Sequence, residues 1–184
     1  MIRLKRHEAA GLLAAVAAIA LVATTAFGAS PHFKHGGTPV CTISTSGSSS
    51  STTCTGSLTG LGGGDVTINV TVGGFAVYQC QNNGGNIAPG QNRVLEGPAT
   101  TPTTIPGSEI KNGNLTFTTA PAVLSASSTV SGSAAGCPGN NWTGVNPVLT
   151  VTSIELAISQ GGVTFYDQTV SNPNGLSRTV SFPG

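Results

Sequence analysis

A strict alternation of apolar and polar residues runs from Val66 to Val72, where Val and Ile alternate with Thr and Asn. This period of two is the pattern of a β-strand with one buried face. Other strand-like runs are rich in Ser, Thr and β-branched residues, which favour strands over helices; they lie at 75–80, 115–118, 123–131, 148–159, 163–170 and 176–182. Most of the chain is therefore predicted to be β-strand.

Stretches rich in Gly, Pro and Asn separate these runs. Gly73-Gly74 is expected to close a hairpin between the strands on either side, and Gln160-Gly161-Gly162 is expected to close another. Three longer stretches are expected to be loops, the second of them extended and partly mobile; they lie at 81–90, 97–107 and 133–146.

Eight or nine short strands joined by such turns predict an all-β fold, an immunoglobulin-like β-sandwich, with a β-barrel as the alternative. Composition supports this class, because 37 residues are Gly or Pro and only 13 are charged, which disfavours a long helical protein. We expect one domain at 38–184, preceded by a flexible segment at 29–37.

The first 28 residues have the composition of a secretory signal peptide. A basic start at 3–6 precedes an apolar stretch at 9–23 and small residues at 26–30. Cleavage is expected after Gly28, with Ala26 as the second choice, and this segment is the only one that looks helical. The alternative is an uncleaved membrane anchor, which needs about 20 apolar residues.

Removal of that segment changes the formal net charge from +1 to −1, because four cations and five anions remain. A protein that neutralises several phosphates needs clustered Lys and Arg, so we do not expect this protein to bind nucleic acid. The mature chain is predicted to lack a transmembrane segment and to be secreted or extracellular, with attachment to the cell envelope left open.

Four cysteines suit an oxidising compartment, in which disulfides persist. Three pairings are possible. If 46–51 is the loop of a hairpin, Cys41 lies directly opposite Cys54, which leaves Cys80 to pair with Cys137. A zinc site is the alternative, although the cysteine spacings contain no CxxC pair.

The positions of the histidines disfavour histidine-dependent catalysis. After the signal peptide only His32 and His35 occur, and there is none at 36–184, whereas a Ser-His-Asp triad needs a histidine beside its nucleophile. Ser108 and Lys111 match a Ser-x-x-Lys pattern, but they border a turn and are interpreted as a loop. We therefore expect no enzymatic activity, no cofactor and no metal site.

Glu155 and Asp167 lie on the two strands of the last predicted hairpin. Paired carboxyl groups can hydrolyse glycosidic bonds, so a hydrolase of cell-wall glycans is a minor alternative function. The other interpretation is that both residues face solvent and keep an edge hairpin soluble.

Candidate binding residues are aromatic side chains that could stack on a sugar and amides in the 81–92 loop that could bind its hydroxyls. They are Trp142, Tyr78, Asn82, Asn86 and Gln91, with Tyr166 as a substitute for Tyr78. The alternative for Trp142 is core packing over a bridge between Cys80 and Cys137.

Four segments of the chain carry a resemblance to a group of uncharacterised secreted actinobacterial proteins. They are GLGGGDVT at 60–67, CQNNGGNIAPGQN at 80–92, KNGNLTF at 111–117 and CPGNNWT at 137–143. The last segment departs from the pattern CPNPNW. The resemblance covers the chain from about Pro31 onward and implies bacterial secretion and the pairing of Cys80 with Cys137, but no activity.

The expected function is that of a secreted, non-catalytic structural or adhesive protein of the bacterial cell surface or extracellular space, with contacts made by neutral Thr, Ser, Asn and Gly surfaces. The alternative is an extracellular module that binds a glycan or a protein through the loops at 81–92 and 133–146. The expected partner is a cell-envelope glycan or protein, and the oligomeric state is left open.

Overall fold

The computed structural model describes residues 30–184. The predicted signal peptide and both candidate cleavage positions lie outside the described residues. Two antiparallel sheets pack face to face, which confirms the predicted all-β sandwich.

Eleven strands and two short helices make up the described part of the chain. The strands are β1 (His32–Phe33), β2 (Val40–Ser46), β3 (Ser49–Thr59), β4 (Val66–Asn82), β5 (Ile87–Ile105), β6 (Leu115–Thr118), β7 (Ala122–Ser125), β8 (Val130–Ser131), β9 (Trp142–Gln160), β10 (Val163–Ser171) and β11 (Thr179–Ser181). A 3₁₀ helix spans Gly107–Glu109, and the α-helix α1 spans Gly132–Ala135.

The first sheet is centred on β3. Strand β2 pairs with one side of β3 and with β11, while β1 pairs with the last two residues of β3. Strands β6 and β7 also pair with β3. The β2–β3 hairpin turns at Gly47-Ser48 and places Cys41 opposite Cys54, and the disulfide between them confirms the predicted pairing.

The second sheet has the order β10-β9-β4-β5, and β8 pairs with the start of β9. Three of its strands are long, with 17, 19 and 19 residues for β4, β5 and β9. Strands β9 and β10 form the hairpin predicted at Gln160-Gly161-Gly162. Because β10 and β5 occupy the two ends of this order, they are the edge strands.

The hairpin predicted at Gly73-Gly74 is wrong. Strand β4 continues through these residues, and its pairing with both neighbouring strands shifts register there. A Cβ atom at Gly74 would collide with the carbonyl group of Thr150. The glycines therefore permit a close backbone approach at a β-bulge. Glycine within a strand-like run can indicate such a bulge instead of a turn.

Two predicted loops are also wrong. Strand β4 extends to Asn82 and β5 begins at Ile87, so only 83–86 forms a turn within the predicted loop at 81–90. Most of the Pro/Thr segment at 97–107 belongs to β5 and pairs with β4. Proline is tolerated there because β5 is an edge strand, in which one side of the backbone needs no partner within the sheet.

Smaller differences concern the other irregular segments. The strand predicted at 123–131 is split into β7 and β8, and the one predicted at 176–182 shortens to β11. The segment at 133–146 includes most of α1 and the start of β9. Within 29–37, expected to be flexible, His32 and Phe33 pair with Thr59 and Leu58.

The core lies between the two sheets. Alternate residues of β4 supply its centre, and Val66, Ile68 and Val70 are fully buried. Leu58 and Phe117 of the first sheet belong to the same apolar cluster. The alternation read from the sequence at 66–72 therefore identifies the inward face correctly.

Candidate functional site

Tyr78 is a core residue with 1% of its surface exposed. Its hydroxyl group donates a proton that is shared by the carbonyl oxygen of Ser127 at 2.9 Å and Oε1 of Glu96 at 3.1 Å. Burial, together with the charge and hydrogen bond of Glu96, raises the pKa of Tyr78 to about 12. A ring in this position cannot stack on a sugar from solution.

Trp142 begins β9 and is half-buried. It lies opposite Asn82 in the sheet and packs against the core cluster. A Cβ atom at Gly139 would lie 3.3 Å from Cδ1 of Trp142, so the backbone of the preceding loop covers part of the ring. These contacts favour a role for Trp142 in packing against the core over a role in stacking on a sugar.

Two of the three predicted amides, Asn82 and Asn86, lie together in the β4–β5 turn, where a Cβ atom at Gly84 would lie 3.4 Å from Oδ1 of Asn82 and 3.6 Å from Nδ2 of Asn86. Oδ1 of Asn82 accepts hydrogen bonds from the backbone N–H groups of Gly84 at 3.0 Å and Asn86 at 2.9 Å, so this side chain builds the β4–β5 turn. The side chains of Asn86 and Gln91 are exposed.

A groove opens where the strands on both sides of β4 are irregular. In β4, one residue separates Val77 from Gln79. Their partners in β5, Arg93 and Pro89 respectively, are further apart along the chain than in a regular ladder, and so are their partners in β9. The extra residues make β-bulges, which bend and twist the strands locally. Sequence analysis missed this groove because no local pattern reports bulges that coincide across three strands.

We call this feature the aliphatic groove, with a volume of about 520 Å³; its lining residues are Val77, Tyr78, Gln79, Ile87, Ala88, Pro89, Gly90, Asn146 and Val148. Val148 is 62% exposed and Ile87 is 49% exposed. On its polar side, Nδ2 of Asn146 donates to Oε1 of Gln79 at 2.9 Å. Apart from the buried phenol, no lining side chain ionises, so the groove suits an uncharged apolar partner.

A second concave region lies at an open side of the sandwich, between β1 of the first sheet and β10 of the second. We call it the aromatic hollow. It consists of two adjoining cavities of about 180 and 160 Å³ that share Pro31 and Phe165. The first is also lined by His32, Phe33, Tyr166 and Gly184, and the second by Gln160 and Val163.

Gln160 is the polar member of this region, yet its amide is committed to the fold. It is 1% exposed, and its Nε2 donates to the carbonyl oxygens of Gly62 and Gly64 at 2.9 and 2.8 Å. Its Oε1 accepts from the backbone N–H of Gly62 at 2.9 Å. The glycine segment at 60–64 is thus a loop held against β9.

The outward face of the first sheet carries almost only hydroxyl groups, and we call it the hydroxyl face. Except for His32, Val40 and Val123, each outward strand position of this sheet is Ser or Thr. None of these positions carries Asp, Glu, Lys or Arg. The Ser and Thr residues of the hydroxyl face are Thr42, Ser44, Ser46, Ser49, Ser51, Thr53, Thr55, Ser57, Thr59, Thr116, Thr118, Ser125, Thr179 and Ser181.

The predicted carboxylate pair lies on the outward face of the second sheet. Glu155 is opposite Thr169 and Asp167 is opposite Ala157, so the two carboxylates are diagonal neighbours on adjacent strands. Neither lines the aliphatic groove or the aromatic hollow. In the Ser-x-x-Lys segment, Nζ of Lys111 donates to the backbone carbonyl of Ser108 at 2.9 Å.

The second disulfide joins Cys80 to Cys137, so both predicted pairings are confirmed and the cysteines are not zinc ligands. Two disulfides indicate an oxidising, extracellular environment. Within residues 30–184, no group of three or more His, Cys, Asp or Glu side chains is placed to hold a metal ion. In the same range, no helix is long and apolar enough to span a membrane.

Comparison with known proteins found no family model, no curated protein and no solved structure that matches this chain. The resemblance to secreted actinobacterial proteins therefore stays a prediction.

Proposed function

We propose that this protein is secreted and acts, without catalysis, as a structural or adhesive component at the bacterial cell surface or in the extracellular space. The observation that carries the proposal is the hydroxyl face, which spans a whole sheet with no Asp, Glu, Lys or Arg at its strand positions. The two disulfides support an extracellular location.

The hydroxyl face suits repeated, neutral contacts. A hydroxyl group both donates and accepts hydrogen bonds, and some of these groups already pair across strands, with 3.1 Å between Oγ of Ser57 and Oγ1 of Thr116. Strands of a sheet lie about 4.8 Å apart, and residues on one face repeat about every 7 Å along a strand. A regular hydroxyl array of this kind fits a neutral polymer, such as a glycan of the cell envelope.

Charge placed on the hydroxyl face tests the proposal. In Thr42→Lys/Thr118→Lys, two exposed positions of this face become cationic, and a charge that loses water at a contact without a partner is costly. We expect the purified wild-type protein to co-sediment with washed bacterial envelope even in high salt, since screening weakens only charge-based contacts. The variant should bind at least tenfold more weakly.

The matched control is Thr104→Lys/Thr169→Lys, which adds the same charges at exposed positions on the outward face of the second sheet. It should bind as the wild type does, and all three proteins should melt within a few degrees of one another. A wild type that stays in the supernatant, or equal loss in both variants, would contradict the proposal.

A second candidate function is that of a module that binds a protein at the aliphatic groove. Val77, Ile87 and Val148 expose apolar surface in one concave place, and Leu95, 86% exposed, lies on the same outward face. Exposed apolar patches on a soluble protein mark interaction sites. The carboxylate hydrolase is not proposed, because Glu155 and Asp167 lie outside both concave regions.

A further inference from the structure

Exposed aromatic surface is concentrated at one place in the described part of the chain. Of eight aromatic side chains there, four are buried; these are Phe75, Tyr78, Phe117 and Phe182. Trp142 is half-buried beside the loop that precedes β9. The other three are also half-buried and pack against the core cluster, and together they line the aromatic hollow; these are Phe33, Phe165 and Tyr166.

The rings of the aromatic hollow are held in place before any ligand arrives. Phe33 and Tyr166 meet edge to face, with 4.8 Å between ring centroids and 88° between planes, and this contact joins the two sheets. The Tyr166 hydroxyl donates to the carbonyl oxygen of Pro183 at 2.7 Å. Phe165 occupies the register shift of β10 and lines both cavities. Rigid rings lose little entropy on binding.

We propose that the aromatic hollow binds neutral pyranose rings of a glycan. The C–H groups on one face of a pyranose carry partial positive charge and stack on the negative face of an aromatic ring. Among the described residues, no Asp, Glu, Lys or Arg lines either cavity, which selects against charged ligands. Two adjoining cavities that share Phe165 suit consecutive sugar units.

His32 supplies the hydrogen-bonding group that orientation of a sugar requires. Its Nδ1 lies 2.6 Å from the carbonyl oxygen of Ser30, so in a neutral imidazole this nitrogen carries the proton and donates. Nε2 is then an acceptor for a sugar hydroxyl at the cavity that His32 lines. The aliphatic groove has neither an exposed ring nor an imidazole, so the same ligand is not assigned to it.

This site shares only His32 with the outward face of the first sheet, and its rings belong to other positions, so the two proposals can fail independently. The decisive substitution is Phe165→Leu, which keeps an apolar side chain but removes the ring. The matched control is Trp142→Leu, which removes the other partly exposed aromatic of the described chain. Binding is measured by electrophoresis of the native exported protein through gels that contain β-1,3-glucan, β-1,4-glucan, α-1,4-glucan, mannan or galactan.

We expect at least one polysaccharide to retard the wild type. Phe165→Leu should weaken the affinity for that polysaccharide at least fivefold, at an unchanged melting temperature. Trp142→Leu should change the affinity less than twofold. If Phe165→Leu does not fold, His32→Ala takes its place, since His32 is exposed, and at least a twofold loss is expected. The proposal is overturned if no polysaccharide retards the wild type, if the hollow variant binds normally, or if the tryptophan variant loses as much.

Discussion

The aliphatic groove and the aromatic hollow are both concave and both carry almost no charge, yet they arise differently. The groove forms within one sheet, where bulges coincide beside Val77 and Gln79 of β4. The hollow forms between sheets, where β1, β10 and the residues near Gly184 meet. In this sandwich, a concave region forms either where bulges coincide within one sheet or where the two sheets meet, and the side chains gathered there decide its chemistry.

Removal of the Cys80–Cys137 disulfide should have the largest effect and should separate the two regions. Cys80 belongs to β4, and Cys137 follows α1, whose Ala135 carbonyl lies against Gly90 of the groove. A bridge over 57 residues stabilises by about 4 kcal/mol in the chain-entropy estimate. Cys80→Ala/Cys137→Ala should therefore lose about that much free energy of unfolding in denaturant titrations.

Hydrogen exchange then locates the effect. The amides of Ile87, Ala88 and Gly90 should exchange faster in the variant, whereas those of β10 at the hollow should change only as far as the global loss of stability dictates. The matched control is Cys41→Ala/Cys54→Ala, whose bridge spans 13 residues and contributes about 3 kcal/mol in the same estimate. Faster exchange confined to β10 would refute this division of the molecule.

Alkaline pH should reveal the difference between the two tyrosines, with a smaller effect. Tyr78, beneath the groove, has its pKa raised to about 12 by burial and by Glu96, while burial alone raises the pKa of Tyr166 at the hollow. A raised pKa favours the neutral phenol in the folded state. The stability it contributes is complete below about pH 10 and is lost as pH rises towards 12.

Tyr78→Phe should flatten this alkaline loss more than Tyr166→Phe does, in unfolding titrations between pH 7 and pH 12. At pH 7 the same variant should cost about 1–3 kcal/mol, because the carbonyl of Ser127 and the carboxylate of Glu96 lose their donor. An alkaline loss that is equally steep in wild type and Tyr78→Phe would exclude the buried phenol as its cause.

Exposed apolar residues of the groove should matter least for stability. Ile87→Ser/Val148→Ser changes side chains that are 49% and 62% exposed, so each should shift the free energy of unfolding by about 0.5 kcal/mol or less. If the groove is a contiguous binding surface, the double variant should elute earlier in hydrophobic interaction chromatography.

The comparison variant is Val123→Ser/Val163→Ser, which removes similarly exposed valines outside the groove, one on the outward face of the first sheet and one at the aromatic hollow. A smaller shift in elution is expected for it, because these two side chains do not share a concavity. Equal shifts would show that the groove is no more accessible to an apolar partner than scattered surface residues are.

Local patterns predicted much of the fold. The period of two at 66–72 identifies the inward face of β4, and the turn-forming residues at 46–51 and 160–162 identify two hairpins, the first of which turns at 47–48. The pairing of Cys41 with Cys54 follows from hairpin register alone. These features depend on residues close in sequence, so the sequence carries their signal directly.

Other features had no local signal. Gly73-Gly74 has the composition of a turn, but pairing on both sides of β4 makes it a bulge. The Pro/Thr segment at 97–107 has the composition of a loop, yet β4 recruits most of it as an edge strand. In both cases, backbone pairing with a distant strand overrides the local preference.

The sequence alone therefore determined the β class, the inward face of β4, the near absence of charge and the disulfide between the two cysteines that are closest in sequence. Each of these depends on composition or on neighbours along the chain. Tertiary structure decided which aromatic rings are accessible. It buries Tyr78 between the sheets and gathers Phe33 with Phe165 and Tyr166, which are more than 130 residues away in sequence. Burial and proximity of this kind follow from how the two sheets pack, and no local pattern encodes that packing.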